Sequence, residues 1–419
     1  MLIHYPKNWG QILLFFSLIT VLFAACKKDP EIEPLPEIHE DPNLDESIAA
    51  VIPHIYINTE GNQEVVSKDD YINAMVEIKG LDAFPDLEPV LTEIKGRGNS
   101  TWGKPKNPYK LKLDKKAPVL GLPEAKEWVL LANYQDYTLM ANAVAMEIAQ
   151  QLNLPFTNTI IPVDLTMNGE YLGNYNLTQQ IELKENRVDI GDDGVLLELD
   201  THFDEEYQFT SDAFTLPVMV KDPDVESDAH MQSIIQDFSD LEGKLMAEDF
   251  PNNGYGELID KRQLVRFIIV NNLTGNYEVT HPKSMYMHKA NGGKYIMGPV
   301  WDFDWAYGID ENTRKYFNYF EIPLLRPNDS RFGAVFLNHF LKDPEVRILY
   351  QSEWRAYRSG KFEQLMQFIE TYAARIRESQ QKDFEKWGVG DNNLGKSKAD
   401  MKTYLRKRAR EIDLYVDHL

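Results

Sequence analysis

Residues Ile161 to Leu177 read IPVDLTMNGEYLGNYNL, and this stretch decides the class of fold. Asn168-Gly169, the dipeptide that most favours a tight type I′ turn, separates two β-rich runs, Ile161–Met167 and Tyr171–Leu177. The pair therefore reads as an antiparallel hairpin. Toward the N-terminus, WVLLA (128–132) reads as a buried strand, followed by a helix over Tyr137–Leu152 whose apolar positions Leu139, Val144, Ile148 and Leu152 recur at helical spacing. Further back, IPHIYIN and YINAMVEI lie in a β-rich stretch, 51–94, with turn residues at Gly61-Asn62. Toward the C-terminus the expected elements are a strand at Val195–Leu199, helices at Asp228–Ala247 and Asp260–Leu273, and a hairpin of Ser284–His288 with Lys294–Met297. The last stretch is helical, with one apolar stripe at Leu365, Phe368, Ile369 and Tyr372 and another at Leu405, Ala409, Ile412, Val416 and Leu419. The sum is an α+β chain, antiparallel hairpins first and helices last.

The N-terminus carries a different signal. Lys7 precedes an apolar run, Ile12 to Ala25, of about 14 residues, short of the roughly 20 that span a bilayer. It ends in Ala24-Ala25 directly before Cys26, the chain's one cysteine. That order of parts is a signal peptide's, and residues 1–25 are expected to be removed, leaving Cys26 as a lipid anchor. The competing reading is an ordinary secreted protein with a free thiol, a liability in an oxidising compartment. Residues 26–48, rich in proline and carboxylates, are expected to be a stiff acidic tether. The remaining ~370 residues, in a chain that is 43% hydrophobic, suffice for a sizeable core. A net charge of −22 argues against nucleic-acid binding and against polybasic docking on anionic lipid.

Three places stand out chemically. In GRGNSTWGKPKNPYKLKLD (96–114), glycines 96, 98 and 103 allow close backbone approach while Arg97, Lys104, Lys106, Lys110 and Lys112 gather positive charge. A phosphate would use such a cluster, and a solvated basic loop is the plainer alternative; the GK[ST] ending of a Walker A loop is absent. In GPVWDFDWAYG (298–308), Asp302 and Asp304 stand two apart among large aromatics, where both can reach one hard cation. A turn with ordinary acidic residues is the alternative. In LTGNYEVTHPKSMY (273–286), Asn276 and Glu278 can share that metal or accept a hydroxyl proton, while His281 reads as structural. No HExxH and no GxSxG is present.

The segments RGNSTW, PYKLKL, WVLLANY with its helix, NGEYLGNYNL and PVWDFDWAYG, in this order over roughly 90–308, resemble the CotH kinase family of atypical protein kinases. Thr59, Lys68-Asp69-Asp70-Tyr71 and PKSMY resemble its Bacteroidetes-like lipoprotein branch. The resemblance implies a protein-kinase-like fold, with a β-rich element at 49–95, the kinase-like core at 96–310 and a helical region at 311–419. It also implies transfer of the γ-phosphoryl group of ATP to Ser or Thr of a secreted or surface protein, with Mg²⁺ or Mn²⁺. Arg97, Lys110 and Lys112 would then contact phosphates, Asp302, Asp304 and Asn276 would hold the metal, and Glu278 with Asp302 would be catalytic. Three positions depart from the family pattern: Glu278 stands for an aspartate, Gln179 for a carboxylate and Ala141 for an arginine. The expected address is the cell envelope, as an outer-membrane lipoprotein, where ATP is not ordinarily maintained. The other reading is therefore a non-catalytic surface lipoprotein that binds a protein or glycan, with Trp102, Trp301 and Trp305 as stacking faces.

Overall fold

The computed structural model describes residues 38–309, 316–317, 324–327 and 330–419. The leader, Cys26 and most of the acidic tether lie outside them. Seven strands form a closed barrel: β1 (His54–Thr59), β2 (Ile72–Lys79), β3 (Leu87–Gly96), β4 (Tyr109–Val119), β5 (Leu122–Leu131), β6 (Ile161–Met167) and β7 (Glu170–Gln179). The ring order is β1-β2-β3-β4-β5-β7-β6. The expected hairpins are present, β1 with β2 and β6 with β7, and the turn at Asn168 (φ 51°) and Gly169 (φ 79°) has the left-handed pair that a type I′ turn requires. Closure comes from a pairing that local pattern does not announce: β1 runs parallel to β6, Ile55 opposite Leu165. The Asn168 side chain fixes that seam by accepting the Thr59 N–H at 2.8 Å. Inward side chains such as Ile55, Ile57, Val76, Ile94, Leu111 and Leu165 fill the barrel.

A second sheet, order β12-β11-β8-β10-β9, consists of β8 (Val195–Leu199), β9 (Gln208–Thr210), β10 (Pro217–Asp222), β11 (Met285–Lys289) and β12 (Ile296–Met297). The helices are α1 (Ala141–Gln151), α2 (Asp228–Met246), α3 (Lys261–Thr274), α4 (Ala334–Phe340), α5 (Pro344–Gly360), α6 (Phe362–Trp387) and α7 (Leu394–Val416). Helix α1 begins later than its periodicity suggests. The Asp136 carboxylate accepts the N–H groups of Thr138 and Ala141, and Leu139 takes φ 59°, so the chain turns through 137–140 before the helix starts. The helix expected at 260–273 is present as α3: Asp260 caps it and Gly275 (φ 59°) ends it. Helix α3 is buried along most of its length and packs against α5 and α7, while α6 lies against β7 of the barrel. No helix among the described residues is long and apolar enough to cross a membrane.

The described part of the expected tether, 38–48, does not stand free of the fold. From Glu40 onward it lies on α6 and α7, because those helices offer a basic face. Glu40 pairs with Lys402 at 2.8 Å and with Arg406. The Lys398 ammonium donates to the Asn43 carbonyl at 2.6 Å, and the Arg377 guanidinium donates to that of Ile48 at 2.6 Å.

Candidate active site

Where the 97–108 loop meets the second sheet, a cavity of about 340 Å³ opens. The loop leaves β3 at Gly96, against which the Trp102 ring packs so closely that a Cβ would lie 2.2 Å from it. Gly98, at φ 82°, then turns the chain. This brings Arg97 and Lys104 to the cavity wall, with the Arg97 guanidinium 5.4 Å above the Trp301 ring.

The other lysines of the basic segment go elsewhere. Lys106 is buried and bonded to Asp383 and to the Asn174 carbonyl, each at 2.5 Å. Lys110 and Lys112 alternate with the inward-facing Tyr109, Leu111 and Leu113 on β4, so both point out of the barrel. There Lys110 pairs with Glu127 at 2.5 Å and Lys112 with Glu93 at 3.5 Å. The expected phosphate-binding set is thus divided: only Arg97 of the three lines the cavity.

The acidic residues converge. Glu278, Asp302 and Asp304 all face the cavity. Asp302 adopts φ 60°, and the segment after it is pinned through its backbone: Phe303 N–H donates to the Asn142 side chain (2.9 Å), and Tyr307 N–H donates to the Thr274 carbonyl (2.7 Å). Trp305 adds its carbonyl, which accepts from Tyr277 N–H at 3.1 Å. Glu278 opens a short 3₁₀ turn, 278–280, whose first N–H is taken by Asn276 Oδ1 at 3.1 Å. Asn276 also donates to Asn271 Oδ1 at 3.0 Å and does not line the cavity, so its two side-chain ends serve the loop.

Burial and mutual repulsion govern these carboxyls. Glu278 is pushed up to about 8, first by burial and then by the charge of Asp302, with Lys283 opposing. Burial raises Asp302 as well, against the pull of its hydrogen bond with Asp304 and of Arg97. Asp304 lies well above the carboxylate range, through burial and then the charges of Asp302 and Glu278. Glu278 Oε2 is buried without a hydrogen-bond partner among the described residues. Such a set fits a divalent cation. No three His, Cys, Asp or Glu side chains among the described residues form a ready metal cage.

Several cavity residues carried no motif. Lys221 reaches Glu198 Oε2 at 3.2 Å and also pairs with Glu205; Lys283 sits 5.3 Å above the Trp305 ring; Asp200 and His202 follow β8 directly. The one available signal was their neighbourhood, VLLELD and PKSMY, rather than any spacing. Two of the departures from the family pattern lie away from the cavity. Ala141 is fully buried at the start of α1, and Gln179 accepts the Thr159 N–H at 2.9 Å at the end of β7. Only Glu278 changes the wall itself.

The family model described as CotH kinase protein matches residues 94–412. No curated protein matches the sequence. Among solved structures, the chain is similar to the crystal structure of a Helicobacter pylori proinflammatory kinase, CtkA. Identity is 8%, over 82% of this chain and 90% of that one, with a TM-score of 0.28, too slight a likeness to build on. With its family match spanning most of the sequence and the motifs of both ends meeting in one cavity, the chain belongs to the CotH kinase family.

Proposed function

We propose that this protein transfers the γ-phosphoryl group of ATP to a Ser or Thr hydroxyl of a secreted or surface protein, on a protein-kinase-like fold, while a lipid on Cys26 holds it in the cell envelope. One observation supports this above the rest: Arg97, Glu278, Asp302 and Asp304, from segments far apart in sequence, line the same cavity. Arg97, with Lys104 and Lys283, offers the charge-assisted donors that phosphate oxygens need. Asp302 and Asp304 would hold Mg²⁺ or Mn²⁺, which supplies charge neutralisation on the transferring phosphate. Glu278 stands beside them to bind and orient the acceptor hydroxyl. Phosphoryl transfer depends mostly on positioning and electrostatics, and these groups provide both.

The other reading is a non-catalytic surface lipoprotein that binds a protein or glycan; Arg97 and Lys283 already occupy one face each of Trp301 and Trp305. The purified full chain is expected to show a Mg²⁺- or Mn²⁺-dependent thermal shift with ATP and to transfer labelled phosphate to a mixed Ser/Thr protein substrate. Asp302→Ala is expected to abolish both. Absence of any shift at millimolar nucleotide would sink the kinase reading.

A further inference from the structure

An Asp–His pair that no sequence motif marks lines the same cavity. Asp200 follows β8, and its side chain is 7% exposed. Its Oδ1 accepts from the His202 backbone N–H at 2.7 Å and lies 2.8 Å from His202 Nδ1; its Oδ2 accepts from Ser284 N–H at 3.0 Å. The carboxylate is thereby clamped between the end of β8 and the loop that carries Lys283. Thr201 N–H reinforces the clamp by donating to the Pro282 carbonyl at 3.0 Å. An acceptor-only carboxylate at Nδ1 selects the Nδ1–H tautomer and leaves Nε2 as the lone-pair nitrogen. No hydrogen bond engages Nε2 among the described residues, and the His202 side chain, 35% exposed, lines the cavity. Across the opening, Asn99 donates to Asp204 at 3.1 Å, tying the His202 loop to the 97–108 loop that carries Arg97.

We propose that His202 is the catalytic base of the transfer, with Asp200 as its positioning residue. The inference rests on the phosphoryl-transfer reading above and names the group that receives the proton. In the step, the acceptor O–H bond breaks and its proton moves to His202 Nε2. The freed oxygen bonds to the γ-phosphorus, and the bond from that phosphorus to the β–γ bridging oxygen breaks, its electron pair leaving with ADP. The imidazolium then returns its proton to solvent through its exposed edge. This is the base-and-orienter pairing that acyl-transfer enzymes use on other folds, here beside a carboxylate pair suited to a metal. It also frees Glu278 from the proton transfer, so that the methylene by which it exceeds aspartate alters the fit of the hydroxyl rather than the chemistry.

The test uses the full chain with Mg²⁺ and ATP. In ¹⁵N-detected spectra, His202 is expected as the Nδ1–H tautomer, with the population shifting in Asp200→Asn. His202→Gln is expected to lower kcat for transfer by about 10²- to 10³-fold while KM for ATP stays within about twofold. Transfer at the wild-type rate by His202→Gln, or an Nε2–H tautomer in the wild type, overturns the proposal and leaves the kinase reading standing. Failure of the wild type to bind Mg-ATP, or to transfer phosphate once bound, overturns both.

Discussion

Two buried sets of charge in this molecule invite comparison, because one pairs opposite charges and the other gathers carboxyls. At the junction of barrel and helices, Lys106 and Asp383 answer each other: the ammonium also donates to the Asn174 carbonyl, and Asp383 Oδ1 also accepts Asn174 N–H at 2.8 Å. In the cavity, burial and then neighbouring negative charge raise Glu278 and Asp304, Asp302 shares a hydrogen bond with Asp304, and one Glu278 oxygen has no partner among the described residues. A buried charge satisfied by protein is a fastening. One left unsatisfied by protein is a place for something else.

Neutralising one member separates the two sets most sharply. Asp302→Asn is expected to lower phosphoryl transfer by about 10³-fold and at the same time to raise the stability of the nucleotide-free protein by about 1 kcal/mol, because it relieves repulsion on Glu278 and Asp304. Radiolabel transfer and chemical denaturation measure the two halves; a loss of stability would show that the carboxylates are not in conflict. Asp383→Ala should do the reverse. It strands Lys106 and Asn174 N–H in a buried site, and is expected to reduce stability by about 3–5 kcal/mol with denaturation as the readout. A neutral result there would mean that solvent reaches Lys106.

Acidity gives a third contrast. Glu278 binds its proton up to about pH 8 in the folded protein and only up to its ordinary value, 4.5, when unfolded. Between those values the folded state holds a proton that the unfolded state has lost. Stability from this group therefore falls as pH rises through that window, by up to about 1.4 kcal/mol per pH unit. Unfolding midpoints of the nucleotide-free protein from pH 5 to 8 should decline, and Glu278→Gln should flatten the decline. If the two profiles run parallel, the carboxyl is not repelled.

What was legible in the sequence follows the range of each interaction. Asn168-Gly169 announces its hairpin because that signal acts within a few residues. The parallel β1–β6 seam joins residues more than a hundred apart, and no local pattern encodes it. Arg97, Asp302 and Asp304 were readable as anomalies, charge among glycines or aromatics, while Glu278 was marked only by its place in the loop between helix and hairpin. Lys110 and Lys112 were misplaced by counting charge along the segment. The alternation in YKLKL already puts them opposite Leu111 and Leu113, and so outside the barrel. Lys106 could not be sorted from its neighbours, since its partner lies 277 residues on. Asp200 and His202 are common residues at a strand end, and only the folded loop brings them into the cavity.

The smallest expected effect tests where the satisfied kind of charge pairing gives out at the surface. Glu40 is held below its usual value by hydrogen bonds and charge from Lys402 and Arg406, which outweigh the burial that opposes them. A depressed carboxyl stabilises the fold above its unfolded value and ceases to as pH falls through the folded one. Glu40→Gln should therefore reduce stability by no more than about 1 kcal/mol at neutral pH, and by nothing once the wild-type carboxyl is itself protonated. Limited proteolysis is the more sensitive readout, since the variant is expected to expose the 39–48 strand of chain from α7 before any global loss. Should cleavage there be unchanged while Lys398→Met accelerates it, the donor to the Asn43 carbonyl rather than the Glu40 ion pair holds the segment down.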